Sequence, residues 1–283
     1  MNEPDVRILP DADACSATVA AWIADRLTDA VRQRGRADWA TTGGSTPVGI
    51  YRILAAPPFR ESVPWASVHL WWGDDRFVTR DHPFSNIVAC DQVLLGTTIL
   101  SGPAPGPGSG IVLEVVKTGV AIPPDHLHAI PIDAAIAAGR SIDWAAAEYE
   151  RTLRAANLEL APSGFPMLDV VLVGVGVDGH IFSIFPDSPA WESDAWVLGI
   201  PAPTHIGPHV ARVSLHPGIL AAARGPLAVV HGAGKAEILA TIFGPDRDER
   251  RWPAQVARRA GATWFLDRAV AAHLPAPWTP APG

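Results

Sequence analysis

The sequence predicts an α/β fold: an open, mostly parallel, Rossmann-like sheet with helices on both faces. Short apolar runs alternate with amphipathic segments along most of the chain, as in parallel strands joined by helical crossovers. The run at 170–173 is rich in β-branched residues and is followed by glycine, which is typical of a strand buried on both faces. Polar or glycine-rich turns follow four of the predicted strands, at 43–46, 73–76, 174–180 and 232–235.

Length and composition indicate one globular domain over residues 1–283. The chain is 48% hydrophobic, which suits a folded domain with a sizeable core. We also expect a Gly/Pro-rich insertion at 96–124 and a frayed C-terminal tail at 274–283, because glycine and proline are dense in both segments. Within the insertion, 101–110 has no pattern for regular packing, and 111–116 is a candidate edge strand.

Charge and cysteine content exclude several functional classes. A net charge of −7 argues against a nucleic-acid partner. The two cysteines, Cys15 and Cys90, lie far apart and form neither a disulfide framework nor a metal cluster. No apolar run is long enough to span a membrane, and the polar N-terminus carries no signal peptide. We therefore expect a cytoplasmic protein without nucleic-acid or membrane partners. Composition does not choose between a monomer and a homodimer, and both are kept as expectations.

The elements follow from hydrophobic periodicity and from glycine or proline stops. The helix at 12–34 rests on apolar residues at a four-residue period and on Gly35, which ends it. The other predicted helices are 48–54, 85–95 after Ser85, 144–158, 217–223, a helix ending at 243, and 267–273. The predicted strands are 6–9, 39–42, 68–72, 127–131, 170–173, 196–200, 210–215, 227–231 and 263–266.

The first polar turn comprises Gly43, Gly44, Ser45 and Thr46 and leads into a helix through Pro47. Free backbone N–H groups at a helix N-terminus make such a turn a candidate anion site. The alternative is a plain capped connection between strand and helix.

The second turn carries Asp74 and Arg76 directly after a strand. The guanidinium of Arg76 is suited to bidentate binding of a phosphate or carboxylate. The alternative is a surface salt bridge among Asp74, Asp75 and Arg76, which would contribute little to stability.

The third turn, Gly174 to His180, holds the candidate catalytic residues. His180 can titrate near neutral pH, and Asp178 can orient it. Gly174-x-Gly176-x-x-Gly179 also matches a dinucleotide fingerprint. That fingerprint needs a full helix after its third glycine, whereas Pro186 limits any helix to about two turns. A second alternative is a β-turn whose histidine only bonds the backbone.

Two further cations complete the candidate site. Arg212 lies in an alternating strand, and Lys235 lies in the turn at 232–235. This turn is not a P-loop, because Val229 stands where the first glycine would be and Ala236 where the Ser or Thr would be. Lys235 can still meet a phosphate as a point charge. His205 and His209, in the proline-rich loop before Arg212, are expected to be solvated and not metal ligands.

The carboxyl ends of parallel strands meet at one edge of a sheet, where ligands of open α/β folds bind. One cleft is therefore predicted to collect side chains from all four turns. The predicted members are Ser45, Arg76, Asp178, His180 and Lys235.

This set of motifs resembles the family of glucosamine-6-phosphate isomerases and 6-phosphogluconolactonases, and it covers nearly the whole chain in the expected order. The motifs are Thr42-Gly-Gly-Ser-Thr-Pro47, Gly73-Asp-Asp-Arg-Phe-Val78, Asp81-His-Pro-Phe-Ser-Asn86, Gly174-Val-Gly-Val-Asp-Gly-His180, Phe185-Pro186, Arg212-Val-Ser-Leu215, Gly232-Ala-Gly-Lys235 and Trp264-Phe-Leu-Asp267. The chain departs from the family in two ways. Phe182 replaces a small residue and is expected to reshape the pocket wall, and the usual lysine before Arg212 is missing from 201–208.

The resemblance implies a sugar-phosphate isomerase/deaminase type of fold and the hydrolysis of 6-phospho-D-glucono-1,5-lactone to 6-phosphogluconate in the pentose phosphate pathway, without cofactor or metal. His180 would act as base and then as acid, and Asp178 would orient it or hold the water. The substrate-binding set would be Gly43, Gly44, Ser45, Thr46, Asp74, Arg76, Arg212 and Lys235.

Two other functions stay open from the sequence. A glucosamine-6-phosphate deaminase is disfavoured by the residues at 74–77 and 184–186. A non-catalytic sugar-phosphate sensor is disfavoured because the chain lacks a basic N-terminal DNA-binding segment.

Overall fold

The computed structural model describes residues 3–103 and 111–278. Its strands are β1 Asp5–Leu9, β2 Ala37–Thr41, β3 Val68–Trp72, β4 Asp74–Arg76, β5 Thr97–Pro103, β6 Ile111–Lys117, β7 Leu127–His128, β8 Val170–Val173, β9 Val197–Ile200, β10 Arg212–Leu215, β11 Pro226–Val230 and β12 Thr263–Asp267. Its helices are α1 Ala12–Arg34, α2 Thr46–Leu54, α3 Phe59–Ser62, α4 Ile87–Ala89, α5 Ile132–Ala137, α6 Ile142–Ala155, α7 Pro217–Ala222 and α8 Ala236–Ile242.

A seven-stranded sheet with the order β1-β12-β11-β8-β2-β3-β7 forms the centre of the molecule. Every pair in it is parallel, as the alternation of strands and helices predicted. The residues of β2, β8 and β12 are buried throughout, because strands covered on both faces have no solvent side. The predicted fold class is therefore confirmed.

Helices cover both faces of this sheet. Trp39 of β2 packs edge-on against Tyr51 of α2. Trp71 of β3 is the register partner of Ala40, the next residue of β2, and it packs against Tyr149 of α6. Successive residues of a strand point to opposite faces, so α2 and α6 lie on opposite sides of the sheet.

A second sheet departs from the purely parallel alternation. β4, β10 and β9 form a three-stranded antiparallel sheet. In it, Arg212 of β10 pairs with Arg76 of β4. β4 begins only one residue after β3 ends, so the chain passes from one sheet to the other at Gly73. The strand predicted at 210–215 is thus antiparallel and begins at Arg212.

The insertion contains more regular structure than the sequence suggested. β5 and β6 pair as an antiparallel hairpin, so the strand expected at 111–116 is present and has a partner at Thr97–Pro103. The prediction that 101–110 lacks regular packing is wrong for 101–103, and its remainder lies outside the described residues, as does part of the predicted tail. Glycine and proline obscured this strand because both are depleted in strands generally.

Two predicted helices are also wrong in detail. The segment after Ser85 begins with a short α-helix at Ile87–Ala89 and widens into a π-helix at Cys90–Leu94. The last predicted helix is a 3₁₀ turn at Val270–His273. By contrast, α1 has the predicted bounds, with Asp11 accepting a bond from the N–H of Ala14 and Gly35 left-handed at φ 77°.

A histidine cluster holds the short edge strand β7. His128 of β7 stacks on Trp71 at 3.8 Å between ring centres, and its Nε2 lies 2.9 Å from Nδ1 of His69. His126 stacks on the other side of His69 at 3.8 Å. Burial lowers the pKa of His69 and of His128 to about 4.

No helix in the described parts of the chain has the length and apolar character needed to cross a membrane.

Candidate active site

The four turns singled out in the sequence lie at one edge of the main sheet. They follow β2, β3, β8 and β11, which are neighbours in the order β11-β8-β2-β3 and are parallel. Their carboxyl ends therefore point the same way. The predicted common edge is confirmed, and the side chains of these turns can be described as one candidate site.

Asp178 and His180 form the closest polar pair of the site. Nδ1 of His180 lies 2.5 Å from Oδ1 of Asp178, and the backbone N–H of His180 donates to the same oxygen at 3.2 Å. Gly176 makes this possible, because a Cβ there would stand 2.0 Å from His180 Nδ1. Gly179 adopts φ 84°, a left-handed conformation that other residues rarely take.

The segment after Gly179 is not the helix that a dinucleotide fingerprint requires. Residues 180–188 form turns with an isolated bridge between Ile181 and Ile184. The next helical segment is a 3₁₀ turn at Pro189–Glu192. The glycines of this turn therefore shape the Asp178–His180 pair instead of opening a dinucleotide-binding helix.

Asp178 is shared with a second histidine. Its Oδ2 lies 2.9 Å from Nε2 of His205. The side chain of His205 is half exposed, as expected for a solvated loop residue, but the sequence did not predict its contact with Asp178. Burial alone would raise the pKa of Asp178, but the hydrogen bonds and charge of His180, with the bond from His205, hold that pKa below its usual range. Asp178 is therefore an ionised acceptor for both imidazoles.

Arg76 and Arg212 stand opposite each other in the antiparallel sheet. Arg212 is 3% exposed, its guanidinium lies 5.3 Å from the ring centre of Phe185, and Nη2 donates to the carbonyl of Pro208. Burial, together with the charge of Arg76, lowers the pKa of Arg212. Among the described residues, Nε of each arginine is buried without a hydrogen-bond partner. Both guanidinium groups therefore keep a donor that no described protein group takes.

The alternative of a surface salt bridge at 74–76 is wrong. Asp74 and Asp75 are buried, and Nη1 of Arg76 donates to the carbonyl of Phe84 instead of to a carboxylate. Oδ2 of Asp74 accepts a 2.6 Å bond from the Ser183 hydroxyl, which links the turn after β3 to the turn after β8. Asp74 therefore holds the turns after β3 and β8 together.

Asp75 anchors the segment that follows Arg76. Its carboxyl accepts bonds from the backbone N–H of Asn86 at 2.7 Å, from that of Arg76 at 2.8 Å and from the Ser85 hydroxyl at 3.1 Å. Burial raises the pKa of Asp75 to about 7, although these backbone bonds oppose the shift. The carboxyl is thus a structural acceptor beneath the site.

Asn86 supports the turn at 43–46. A Cβ at Gly43 would stand 1.9 Å from Oδ1 of Asn86, so only glycine fits there. The Asn86 amide donates to the carbonyl of Asp74, and its buried Oδ1 has no partner in the described parts of the chain. Sequence reasoning placed Asn86 within a family motif but missed this contact, because nothing local indicates which turn it packs under.

The turn at 43–46 leads into α2 as predicted. Gly44 has φ 80°, and Ser45 is the N-cap residue, but its side chain makes no capping bond. The Ser45 hydroxyl is therefore not committed to capping α2. Thr46 is buried, and a Cβ at Gly174 would lie 4.0 Å from its Oγ1, which places this turn beside the one holding Asp178 and His180.

Lys235 follows β11 in a 3₁₀ turn, Ala233–Lys235. Burial lowers the pKa of Lys235, and among the described residues its ammonium group has no ion-pair partner. Gly232, at φ 90°, turns the chain, and its N–H donates to Asp267. Lys235 is thus a partly buried, unpaired cation one strand away from the histidine turn.

The side chain of Phe182 lies in the hydrophobic core and not on the surface of the candidate site. It is 6% exposed and belongs to the main core. A Cβ at Gly73 would stand 2.5 Å from the Phe182 ring, so the ring packs directly on the backbone where the chain leaves β3. Phe182 adopts φ 51° to reach this position.

Three contacts of the site were invisible in the sequence: Ser183 to Asp74, Asn86 under Gly43, and His205 to Asp178. Each joins residues that are distant along the chain, so no local spacing signals them. Within residues 3–103 and 111–278, no group of three or more His, Cys, Asp or Glu side chains is arranged to hold a metal ion.

Comparison with known proteins matches residues 10–265 to a family described as glucosamine-6-phosphate isomerases/6-phosphogluconolactonase. A 6-phosphogluconolactonase of a Nostoc species is 32% identical over 276 residues, which cover 95% of this chain and 98% of that relative. One from Streptomyces coelicolor is 30% identical and covers 97% and 96% of the two chains. Each of these alignments therefore extends over nearly the full length of both proteins.

Solved structures show the same fold. A 6-phosphogluconolactonase from Trypanosoma brucei superimposes with a TM-score of 0.78 at 23% identity, over 97% of this chain and 100% of that one. A monomeric glucosamine-6-phosphate deaminase gives a TM-score of 0.70 at 16% identity, over 95% and 99%. Fold likeness alone does not separate these two activities. The sequence matches and the fold together show that the chain belongs to the family of glucosamine-6-phosphate isomerases and 6-phosphogluconolactonases.

Proposed function

We propose that the protein hydrolyses 6-phospho-D-glucono-1,5-lactone to 6-phospho-D-gluconate, a step of the oxidative pentose phosphate pathway. The observation that carries the proposal is the 2.5 Å contact between His180 Nδ1 and Asp178 at a strand end. The names of the two sequence relatives support the choice of substrate.

His180 is the general base of the proposed reaction. Because ionised Asp178 can only accept, Nδ1 of His180 carries the proton and Nε2 carries the lone pair. Among the described residues, Nε2 has no hydrogen-bond partner, so it is available to a water molecule. The water loses its proton to Nε2 as its oxygen bonds to the lactone carbonyl carbon.

The same imidazole then completes the reaction as an acid. The tetrahedral intermediate expels the ring oxygen, which takes the proton from Nε2 and becomes the 5-hydroxyl of the product. Asp178 stabilises the imidazolium formed between the two steps. A δ-lactone is an activated ester, so the reaction needs no metal or cofactor.

The basic residues of the site bind the negatively charged groups of the substrate. Arg76, Arg212, Lys235 and the 43–46 turn serve the phosphate and the oxyanion that develops on the carbonyl. Nε of both arginines has no hydrogen-bond partner among the described residues, which supports this assignment. Asp74 holds the turns in place through Ser183.

The test is turnover of freshly generated 6-phosphogluconolactone, coupled to 6-phosphogluconate dehydrogenase and corrected for spontaneous hydrolysis. We expect His180→Ala to lower kcat by about 10²–10⁴-fold, the usual contribution of a general acid–base. His273→Ala, at an exposed histidine that pairs with Glu237, is the matched control and should keep wild-type turnover. Near wild-type kcat in His180→Ala would refute the assignment.

A wild-type protein without turnover would redirect the search. Ammonia release from glucosamine 6-phosphate would then indicate the deaminase, and binding of 6-phosphogluconate without any reaction would indicate a sugar-phosphate sensor. The monomer-or-homodimer state and the cytoplasmic location stay predictions from the sequence.

A further inference from the structure

Both carboxylate oxygens of Asp178 are occupied by imidazoles. Oδ1 contacts Nδ1 of His180 at 2.5 Å, and Oδ2 contacts Nε2 of His205 at 2.9 Å. The first histidine follows β8, whereas the second comes from the loop between β9 and β10. The role proposed for His180 does not require this second contact, which therefore needs its own explanation.

The loop that carries His205 is fixed at points on either side of that residue. Nδ1 of His209 lies 2.7 Å from the carbonyl oxygen of Pro203. Nη2 of the buried Arg212 donates to the carbonyl of Pro208 at 2.9 Å. The two prolines also restrict the backbone before folding, so the loop presents His205 from a well-defined position.

Phe185 packs against both histidines and against Arg212. Its ring centre lies 4.8 Å from that of His180, 5.3 Å from that of His205 in an edge-on arrangement, and 5.3 Å from the Arg212 guanidinium. The phenylalanine is 7% exposed. Both imidazoles are therefore packed against one rigid ring while they share one carboxylate.

We propose that His205 is a positioning residue that fixes the orientation of Asp178 and, through Asp178, the orientation of the His180 imidazole. The inference rests on the proposed function, in which His180 must aim Nε2 at the attacking water. A carboxylate bonded at one oxygen only can rotate about its χ2 angle and exchange its free oxygen with water. The bond from His205 removes that freedom, so the His180 ring is pre-organised before substrate arrives.

The proposal requires a hydrogen-bond donor at 205 and not an imidazole as such. The amide nitrogen of glutamine occupies nearly the same place as Nε2 of histidine, so His205→Gln should keep the bond to Asp178. His205→Ala removes it. Thr204→Ala is the matched control, because Thr204 is exposed in the same loop and its side chain has no hydrogen bond among the described residues.

Steady-state lactone turnover gives the first readout. We expect His205→Ala to lower kcat by about 10- to 100-fold, the scale of a misplaced catalytic group, while KM stays within about twofold because the phosphate contacts are intact. His205→Gln should recover most of the lost kcat. A rise in KM at unchanged kcat would mean that His205 touches the substrate, and would overturn the proposal.

The second readout does not depend on any substrate. In ¹H NMR of the protein with ¹⁵N-labelled histidine, the proton between His180 Nδ1 and Asp178 should give a low-field signal, assigned by its loss in His180→Ala. We expect this signal to broaden through exchange with water in His205→Ala and to persist in His205→Gln and Thr204→Ala.

The two readouts separate the inference from the function on which it rests. If the wild type lacks lactonase turnover, the proposed function fails, and the NMR comparison still decides whether His205 fixes Asp178. An unchanged His180 signal in His205→Ala would overturn the inference even if the enzyme is a lactonase. Equal losses of kcat in the Ala and Gln variants would overturn it too, because a donor at 205 would not suffice.

Discussion

Replacing Gly176 by alanine tests the geometry of the site with a single methyl group. A Cβ at this position would stand 2.0 Å from Nδ1 of His180 and 2.7 Å from Oδ1 of Asp178. Ordinary van der Waals contact begins near 3.4 Å, so the imidazole must move by about 1.4 Å to make room. Since φ of Gly176 is not in the left-handed region, the backbone itself tolerates alanine.

The expected effect is therefore catalytic more than structural. A displacement of about 1 Å in a reacting group can lower the rate by about 10²-fold, so kcat of Gly176→Ala should fall by at least about that factor. The free energy of unfolding should fall by only about 1 kcal/mol, because the displaced imidazole loses one hydrogen bond to Asp178 and alanine restricts the unfolded chain. The coupled lactone assay and a thermal melt measure the two effects.

Gly174 in the same turn provides the matched control. A Cβ there would meet only Thr46 Oγ1, at 4.0 Å, so Gly174→Ala should leave the His180 ring in place and keep kcat within a few-fold of wild type. Wild-type kcat in Gly176→Ala would refute the idea that the Asp178–His180 contact sets the rate. An equal loss in both variants would show that the turn's backbone matters and not the imidazole's position.

Two further predictions concern stability. His69 and His128 resist protonation in the native state down to their pKa near 4 but bind protons near pH 6.5 when unfolded, so the free energy of unfolding should fall by about 1–2 kcal/mol from pH 7 to 5. In urea titrations, the free energy of unfolding should fall less between pH 7 and 5 for His128→Phe, which keeps the stack on Trp71, than for the wild type. Equal declines in the two proteins would contradict this prediction. Asp75→Ala leaves three hydrogen-bond donors without their acceptor. It should lower the free energy of unfolding, measured in urea at constant pH, by about 2–4 kcal/mol. A loss below about 0.5 kcal/mol would contradict the anchoring role of Asp75.

The parallel core was predictable from the sequence because one physical cause sets both pattern and structure. A strand buried on both faces is mostly apolar, as at Val170–Val173, and α1 shows an apolar stripe between a cap and a glycine stop. The convergence of the four turns followed from the same logic, since parallel strands end at one edge.

The antiparallel sheet was not predictable by this route. β4 is three residues long and consists of Asp74, Asp75 and Arg76, so it carries no apolar pattern at all. Its place is set by pairing with β10, more than a hundred residues away in sequence. Such a strand is stabilised by its partners and by buried hydrogen bonds, and these are properties of the folded molecule only.

The same limit applied within the site. His180 and Asp178 are two residues apart, so their contact follows from one turn and could be predicted. His205 reaches Asp178 across 27 residues, and Asn86 reaches Gly43 across the sheet edge. The proline-rich loop around His205 offered one local clue, since prolines stiffen a loop that presents a side chain, but they do not indicate its target.

The phosphate-binding role proposed for Arg76, Arg212 and Lys235 would explain how an acidic protein can bind a phosphate ester. The chain carries a net charge of −7. Burial nevertheless lowers the pKa of Arg212 and Lys235, and the charge of Arg76 adds to the shift at Arg212. Within residues 3–103 and 111–278, the Nε atoms of Arg76 and Arg212 have no hydrogen-bond partner. Arg212 and Lys235 are thus partly desolvated, and Arg212 is also repelled by Arg76. We expect a doubly charged phosphate to relieve both costs through charge-assisted hydrogen bonds. Because the relief depends on desolvation and not on surface charge, binding should be only weakly screened by salt.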